Sequence, residues 1–131
     1  MENGSEPNLS LYDRLGGQNG IQSVVEIFYG KIKDDSRVSH YFRNIDYSKL
    51  IEHQTVFLSF ATGGPDYYTG RSLKQSHEHL KITPAHFDDV LGHLSDSLIE
   101  SGVTGSDIVQ VLALLLPLKA RMTLDIKKSS V

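Results

Sequence analysis

The sequence predicts an all-α fold built as a single domain. Three observations carry that reading. Apolar residues recur at helical spacing in separate stretches. Glycine pairs and a Thr-Pro step punctuate those stretches where helices would end or begin. No pair of alternating segments suggests a strand hairpin.

The elements follow in order. A short helix is expected around Leu11 to Leu15, turned sharply by Gly16-Gly17. Gln18 to Lys33 carries Ile21, Val24, Val25, Phe28 and Ile32, the stripe of an amphipathic helix. Ser36 to Phe42 reads as a short helical turn, and Tyr47 to Ala61 as a longer helix closed by Gly63-Gly64-Pro65. After a loop from Asp66 to Gly70, a short helix is expected from Arg71 to Leu80. Thr83-Pro84 is a good helix start, with Thr as N-cap and Pro in the first turn. Phe87, Val90, Leu91, Leu94 and Leu98 make its stripe, and Gly102 ends it. Ser106 opens a last apolar helix that Pro117 kinks or interrupts.

A chain of 131 residues suits one domain and can bury a core without a disulfide or metal staple. The absence of cysteine excludes a disulfide framework, a thiolate zinc site, an iron–sulfur cluster and a thiol nucleophile. Net charge is −3 with no basic stripe, so no nucleic-acid partner is expected. The polar, acidic start lacks the pattern of a signal peptide, and the longest apolar run, Val111 to Leu118, is too short to span a bilayer. The expectation is a cytoplasmic protein with no membrane partner. Residues 1–10 read as a flexible extension and 127–131 as a flexible tail, leaving the domain at 11–126.

Six histidines can be sorted by helical face. His86 and His93 fall off the stripe of their helix, facing solvent or sitting at the stripe edge. His77 shares a face with Leu73 and Leu80, whereas His79 points elsewhere. His77 is then either a buried, hydrogen-bonded histidine or a metal ligand. His53 and Gln54 both fall within the apolar arc drawn through Leu50, Ile51, Phe57, Leu58, Phe60 and Ala61. Buried there, they need partners, since an unpaired buried polar group costs about 1–3 kcal/mol. A core hydrogen-bonded pair and a ligand pocket both satisfy that need. Two apolar-face histidines on separate helices suit a flat, mostly apolar cofactor with one metal. Tyr29, beside the Val25–Phe28–Ile32 stripe, can pack its ring and turn its hydroxyl inward or to water. His40 has no assigned role.

Several motifs fail. His77-Glu78-His79 begins like a zinc-protease helix, but Lys81 stands where the second ligand belongs. Gly63-Gly64-Pro65 and Gly70 lack the Lys-Ser/Thr of a phosphate loop, and no nucleophile elbow occurs.

The chain resembles the group I truncated haemoglobins. The matching stretches begin with Leu11-Tyr12-Asp13-Arg14-Leu15-Gly16-Gly17, Phe28-Tyr29 and Tyr41-Phe42. They continue with His53-Gln54-Thr55-Val56-Phe57-Leu58, Gly63-Gly64-Pro65 and Tyr68-Thr69-Gly70-Arg71. Ser76-His77-Glu78-His79-Leu80 and His86-Phe87-Asp88 complete the series, in order from Leu11 to Met122. The resemblance implies a two-over-two helical sandwich around haem b with His77 as the proximal iron ligand. It implies Tyr29 and Gln54 as residues that hydrogen-bond the bound gas. It places Phe42, Leu50, Phe57, Tyr68, Leu73, Leu80 and Phe87 at the pocket, and Lys49 and Arg71 near the propionates.

Leu50 is a departure, because a polar residue is usual there in the family. The last helix, Pro117-Leu118-Lys119-Ala120-Arg121, has no histidine for a covalent haem bond, so non-covalent haem is expected. In a subset of the family a residue at the place of His53 fills the sixth iron position, and His53 is expected to do so here. The leading function is a haem protein that binds O2, NO and CO, with nitric-oxide dioxygenase activity fed by a separate electron donor. The alternative is a haem-free helical module that binds a partner or an apolar ligand.

Overall fold

The computed structural model describes residues 9–65 and 82–122. Among them the chain is helical, with a lone bridge residue at Ile82 and no β-strand.

The first helix, α1 (Leu11–Arg14), is started by Ser10, whose side chain and that of Asp13 form a reciprocal capping box. The corner into α2 (Gly17–Lys33) needs a left-handed backbone: Gly16 has φ +96° and Gly17 φ +69°. Glycine adopts this without the Cβ clash that other residues suffer. A 3₁₀ turn (Ser39–Phe42) leads to α3 (Tyr47–Ala61), capped by Asp46, which accepts from the Ser48 N–H at 2.9 Å. Next come α4 (Pro84–Glu100), with Thr83 as N-cap, and α5 (Gly105–Leu115), with Thr104 as N-cap. The expected start at Ser106 is one residue late, because Thr104 and not Ser106 supplies the capping oxygen. The chain breaks at Leu116-Pro117 and resumes as α6 (Leu118–Met122), the interruption that Pro117 predicts.

α2 is the central helix. It packs along α3 on one side and α4 on the other, and α4 also meets α5 and α6. The α2 stripe is fully committed: Ile21, Val24, Val25, Phe28, Tyr29 and Ile32 are all buried. They meet Leu58 of α3, Leu94 and Leu98 of α4, and Ile108, Val111 and Leu115 of α5. The glycine pair after α3 serves close packing. A Cβ on Gly64 would lie 2.4 Å from a Tyr12 ring carbon, and the Tyr12 N–H donates to the Thr62 carbonyl at 2.8 Å. One ion pair ties α1 to α5. Arg14 Nε donates to both carboxylate oxygens of the buried Asp107, at 3.1 and 3.3 Å.

Candidate functional site

An apolar cavity opens where α2, α3 and α4 converge. Val25, Phe28 and Tyr29 line it from α2, and Phe42 closes it from the 3₁₀ turn. Gln54, Phe57 and Leu58 face it from α3. Phe87, Val90, Leu91 and Leu94 come from α4, with Leu115 and Leu118 at the far end. The space within it that a water molecule can occupy is about 70 Å³.

Its polar character comes from one pair of side chains. Tyr29 is 3% exposed and its hydroxyl is hydrogen-bonded to Gln54. Three aromatic edges fix its ring: Phe28, Phe42 and Tyr47 lie at centroid distances of 4.8, 5.9 and 5.8 Å. Burial pushes the Tyr29 phenol well above its ordinary pKa, the bond to Gln54 partly opposes this, and Tyr47 adds to the rise. Tyr29 therefore keeps its proton and remains a donor. Tyr47 is raised as well, by burial, and the Lys33 ammonium sits 4.7 Å from its ring centroid.

The structure thus brings together Tyr29, Gln54, Phe42, Phe57 and Phe87 out of the residues singled out from sequence. Leu50 is half-buried against the core but does not line the cavity, and Lys49 is exposed on the first turn of α3. Tyr68, Arg71, Leu73, His77 and Leu80 lie outside the described residues, as does His79.

The face assigned to His53 needs correction. His53 is exposed and does not line the cavity, and Phe60, drawn into the same arc, is 53% exposed. The buried face of α3 runs instead through Thr55, Leu58 and Ser59. His53 lies roughly 140° around the helix from Leu58. Small hydroxyl residues can occupy that buried face because they bond back to the helix: Thr55 Oγ1 donates to the Ile51 carbonyl at 2.7 Å. A hydrophobicity pattern does not count such residues as core, so it centres the arc too far toward Phe57.

His86 and His93 sit at the edge of the α4 stripe. His93 is half-buried, its Nε2 2.7 Å from Asp35 Oδ2. His86 is half-buried beside Tyr41, and His40 is exposed with its ring against Tyr41. The Tyr41–His86 contact was missed in the sequence because it joins two elements whose separate faces carry no sign of it. The remaining lining residues were visible only as helix stripes; periodicity does not tell which part of a stripe faces a cavity.

An apolar chamber walled by Phe42, Phe57 and Phe87, with one hydrogen-bonded donor pair inside, fits a flat, mostly apolar cofactor that carries a small polar ligand. Comparison with known proteins points the same way. The family model of the bacterial-like globins matches residues 10–124. A group 1 truncated hemoglobin of Tetrahymena pyriformis is 36% identical over 99 residues, covering 76% of this chain and 82% of that protein. One from Mycolicibacterium paratuberculosis is 38% identical over 109 residues, covering 83% of this chain and 80% of that protein. Among solved structures, the Fe(III) truncated hemoglobin of T. pyriformis superposes with a TM-score of 0.81 at 32% identity, over 89% of this chain and all (100%) of that one. The 2/2 hemoglobin of a Synechococcus, solved in the cyanomet state with covalently attached heme, superposes with a TM-score of 0.79 at 34% identity, over 87% of this chain and 98% of that one.

Proposed function

The chain belongs to the bacterial-like globins, in the group of truncated two-over-two haemoglobins, and from that premise we propose that its cavity holds a non-covalent haem b and that the protein binds O2, NO and CO. The observation that carries this is the protonated Tyr29 hydroxyl held by Gln54 inside an otherwise apolar chamber. Haem held there would supply an iron that takes up diatomic gases and the redox capacity to oxidise nitric oxide to nitrate.

The chain's own contributions are specific. Phe42, Phe57 and Phe87 offer flat apolar contact and exclude water. Tyr29 donates a hydrogen bond to a ligand seated between it and the cofactor, and Gln54 holds the hydroxyl in place. An oriented donor needs no reorganisation when charge builds on the ligand. His77 is proposed as the proximal iron ligand. Tyr68, Leu73 and Leu80 are proposed to pack on the haem, with Lys49 and Arg71 near its propionates.

His53 is proposed as the sixth ligand in the gas-free protein. It stands one turn before Phe57, outside the cavity, so coordination requires α3 to rotate or slide inward. Nitric-oxide dioxygenase turnover is proposed with a separate protein or small reductant as electron donor. Among the described residues no helix is long and apolar enough to cross a membrane.

Absorption spectra of the ferric, ferrous and CO-bound forms test the whole reading. A strong Soret band that shifts with CO is the expected result. A purified chain that takes up no haem would overturn it and favour a haem-free module.

A further inference from the structure

We propose that α5 is a dimerisation helix. Its outer face pairs antiparallel with the same face of a second copy of this chain, about a twofold axis at Ala113. The proposal does not rest on the haem reading.

A surface helix of a single domain turns one apolar stripe inward and a polar face to water. α5 departs from that pattern. Asp107, Ile108, Val111 and Leu115 are turned into the chain, and Leu115 lines the cavity. At 100° per residue the opposite side carries Ser106, Val109, Gln110, Ala113, Leu116 and Pro117, all exposed. Val109 is 66% exposed and Leu116 52%. Their spacing, repeating by threes and fours, is that of a seam that meets another helix.

A groove runs beside the seam, between α5 and the ends of α1 and α3. Leu11, Ala61, Thr62, Gln110, Ala113 and Leu114 wall it. Phe60 stands next to Ala61. Leu9 is held at the same place, because Arg14 Nη1 donates to its carbonyl at 2.8 Å while Arg14 Nε bonds Asp107 of α5. Among the described residues, seven large apolar side chains stand exposed. Five of them, Leu9, Phe60, Val109, Leu114 and Leu116, belong to this seam or to the rim of the groove, so the apolar surface is concentrated here.

Three features select a second copy as the occupant. The seam is self-complementary, as a twofold contact requires. With Ala113 facing Ala113 across the axis, Val109 meets the partner's Pro117 and Gln110 meets the partner's Leu116, and the small central residue lets the two helices approach closely. Nothing repels the copy. Ile108 to Leu118 contains no charged residue, and the flanking charges are matched within the chain, Asp107 by Arg14 at 3.1 Å and Lys119 by Asp88 at 2.9 Å. A helix that lies on lipid carries a strongly basic polar face instead. The area also fits. The five exposed side chains offer on the order of 500 Å² of apolar surface, the patch size that marks an interaction site. With the small residues of the seam this approaches the ~800 Å² per partner of a specific interface.

Sedimentation velocity of the full chain over about 5–500 µM tests the proposal, the range expected for an interface of this modest size. The mass should rise from one chain toward two. Ala113→Glu sets like charges against each other at the axis and should weaken association roughly tenfold or more; Ala113→Lys should do the same. An equimolar mixture of these two variants should regain the dimer, because only the mixed pair sets opposite charges across the axis. Val109→Glu should also dissociate it, whereas Ile45→Glu, at an exposed residue outside α5 and the groove, should not. Circular dichroism melts establish that each variant keeps its fold. A wild type that stays one chain in mass throughout overturns the proposal, as does a dimer that Ala113→Glu and Val109→Glu leave intact. A monomer that co-sediments with phosphatidylcholine–phosphatidylserine vesicles overturns it too, and assigns the face to a lipid surface.

Discussion

Tyr29→Phe separates the two jobs of the donor pair. The substitution removes one oxygen and keeps the ring, so the edge contacts to Phe28, Phe42 and Tyr47 at 4.8, 5.9 and 5.8 Å persist. What is lost is the bond to Gln54 and the donor toward the ligand. Oxygen in a ferrous globin carries partial negative charge, and a hydrogen bond to a charged acceptor is worth about 1.5–3 kcal/mol. O2 dissociation should therefore speed up by roughly tenfold to 150-fold. CO carries less charge, and its dissociation should change by less than about threefold, under 1 kcal/mol. In the haem-free chain the same variant leaves the half-buried Gln54 amide short of a partner, a cost of about 1 kcal/mol. That lowers Tm by about 3–6 °C in a domain of this size. Adding Gln54→Leu should recover most of the lost stability, because replacing both partners with apolar groups is close to neutral, while fast O2 release remains. Stopped-flow displacement of O2 and CO, with thermal melts, measures all of this. Equal acceleration of both gases would refute hydrogen bonding and leave a steric role.

Further outcomes follow from named contacts. His77→Ala should lose haem on gel filtration while His79→Ala retains it, because only the ligand bond anchors the iron; the reverse pattern would displace the assignment. His53→Leu should convert a low-spin ferric spectrum to a high-spin or water-bound one and speed CO uptake, whereas a wild type already five-coordinate in the ferrous state would remove His53 from the iron. Gly64→Ala places a Cβ 2.4 Å from the Tyr12 ring and should cost about 1–3 kcal/mol by overpacking, read as a lower urea midpoint and partly restored by adding Tyr12→Ala. The Asp35 carboxyl is held well below its usual pKa by hydrogen bonds from Arg37 and then His93. A depressed carboxyl stabilises the fold above its ordinary pKa and loses that contribution as pH falls, so Asp35→Asn should flatten the acid limb of stability below about pH 4.

The helices were legible in the sequence because their signals are local. Thr83 caps its helix through a bond that reaches only three residues ahead, and the α2 stripe buries every residue that its period selects, whereas the cap at Thr104 went unread in favour of Ser106. Faces were less legible where burial does not follow hydrophobicity. On α3 the buried positions include Thr55 and Ser59, while Phe60 is exposed. An arc drawn through the apolar residues alone therefore took in His53, which is exposed, as well as Gln54, which does line the cavity. Contacts between elements were not legible at all. Tyr41 and His86 stand 45 positions apart, and nothing local marks either as the other's partner.

The donor pair also weighs against a chain that only packs. Tyr29 is one of six buried residues along α2, and the other five are apolar. A haem-free core would gain nothing by placing a phenol and an amide there, since each must find a partner merely to break even on desolvation. Both residues line the cavity, where a small polar ligand on the face of an apolar cofactor would meet them; a sealed hydrocarbon core has no such use for a phenol and an amide.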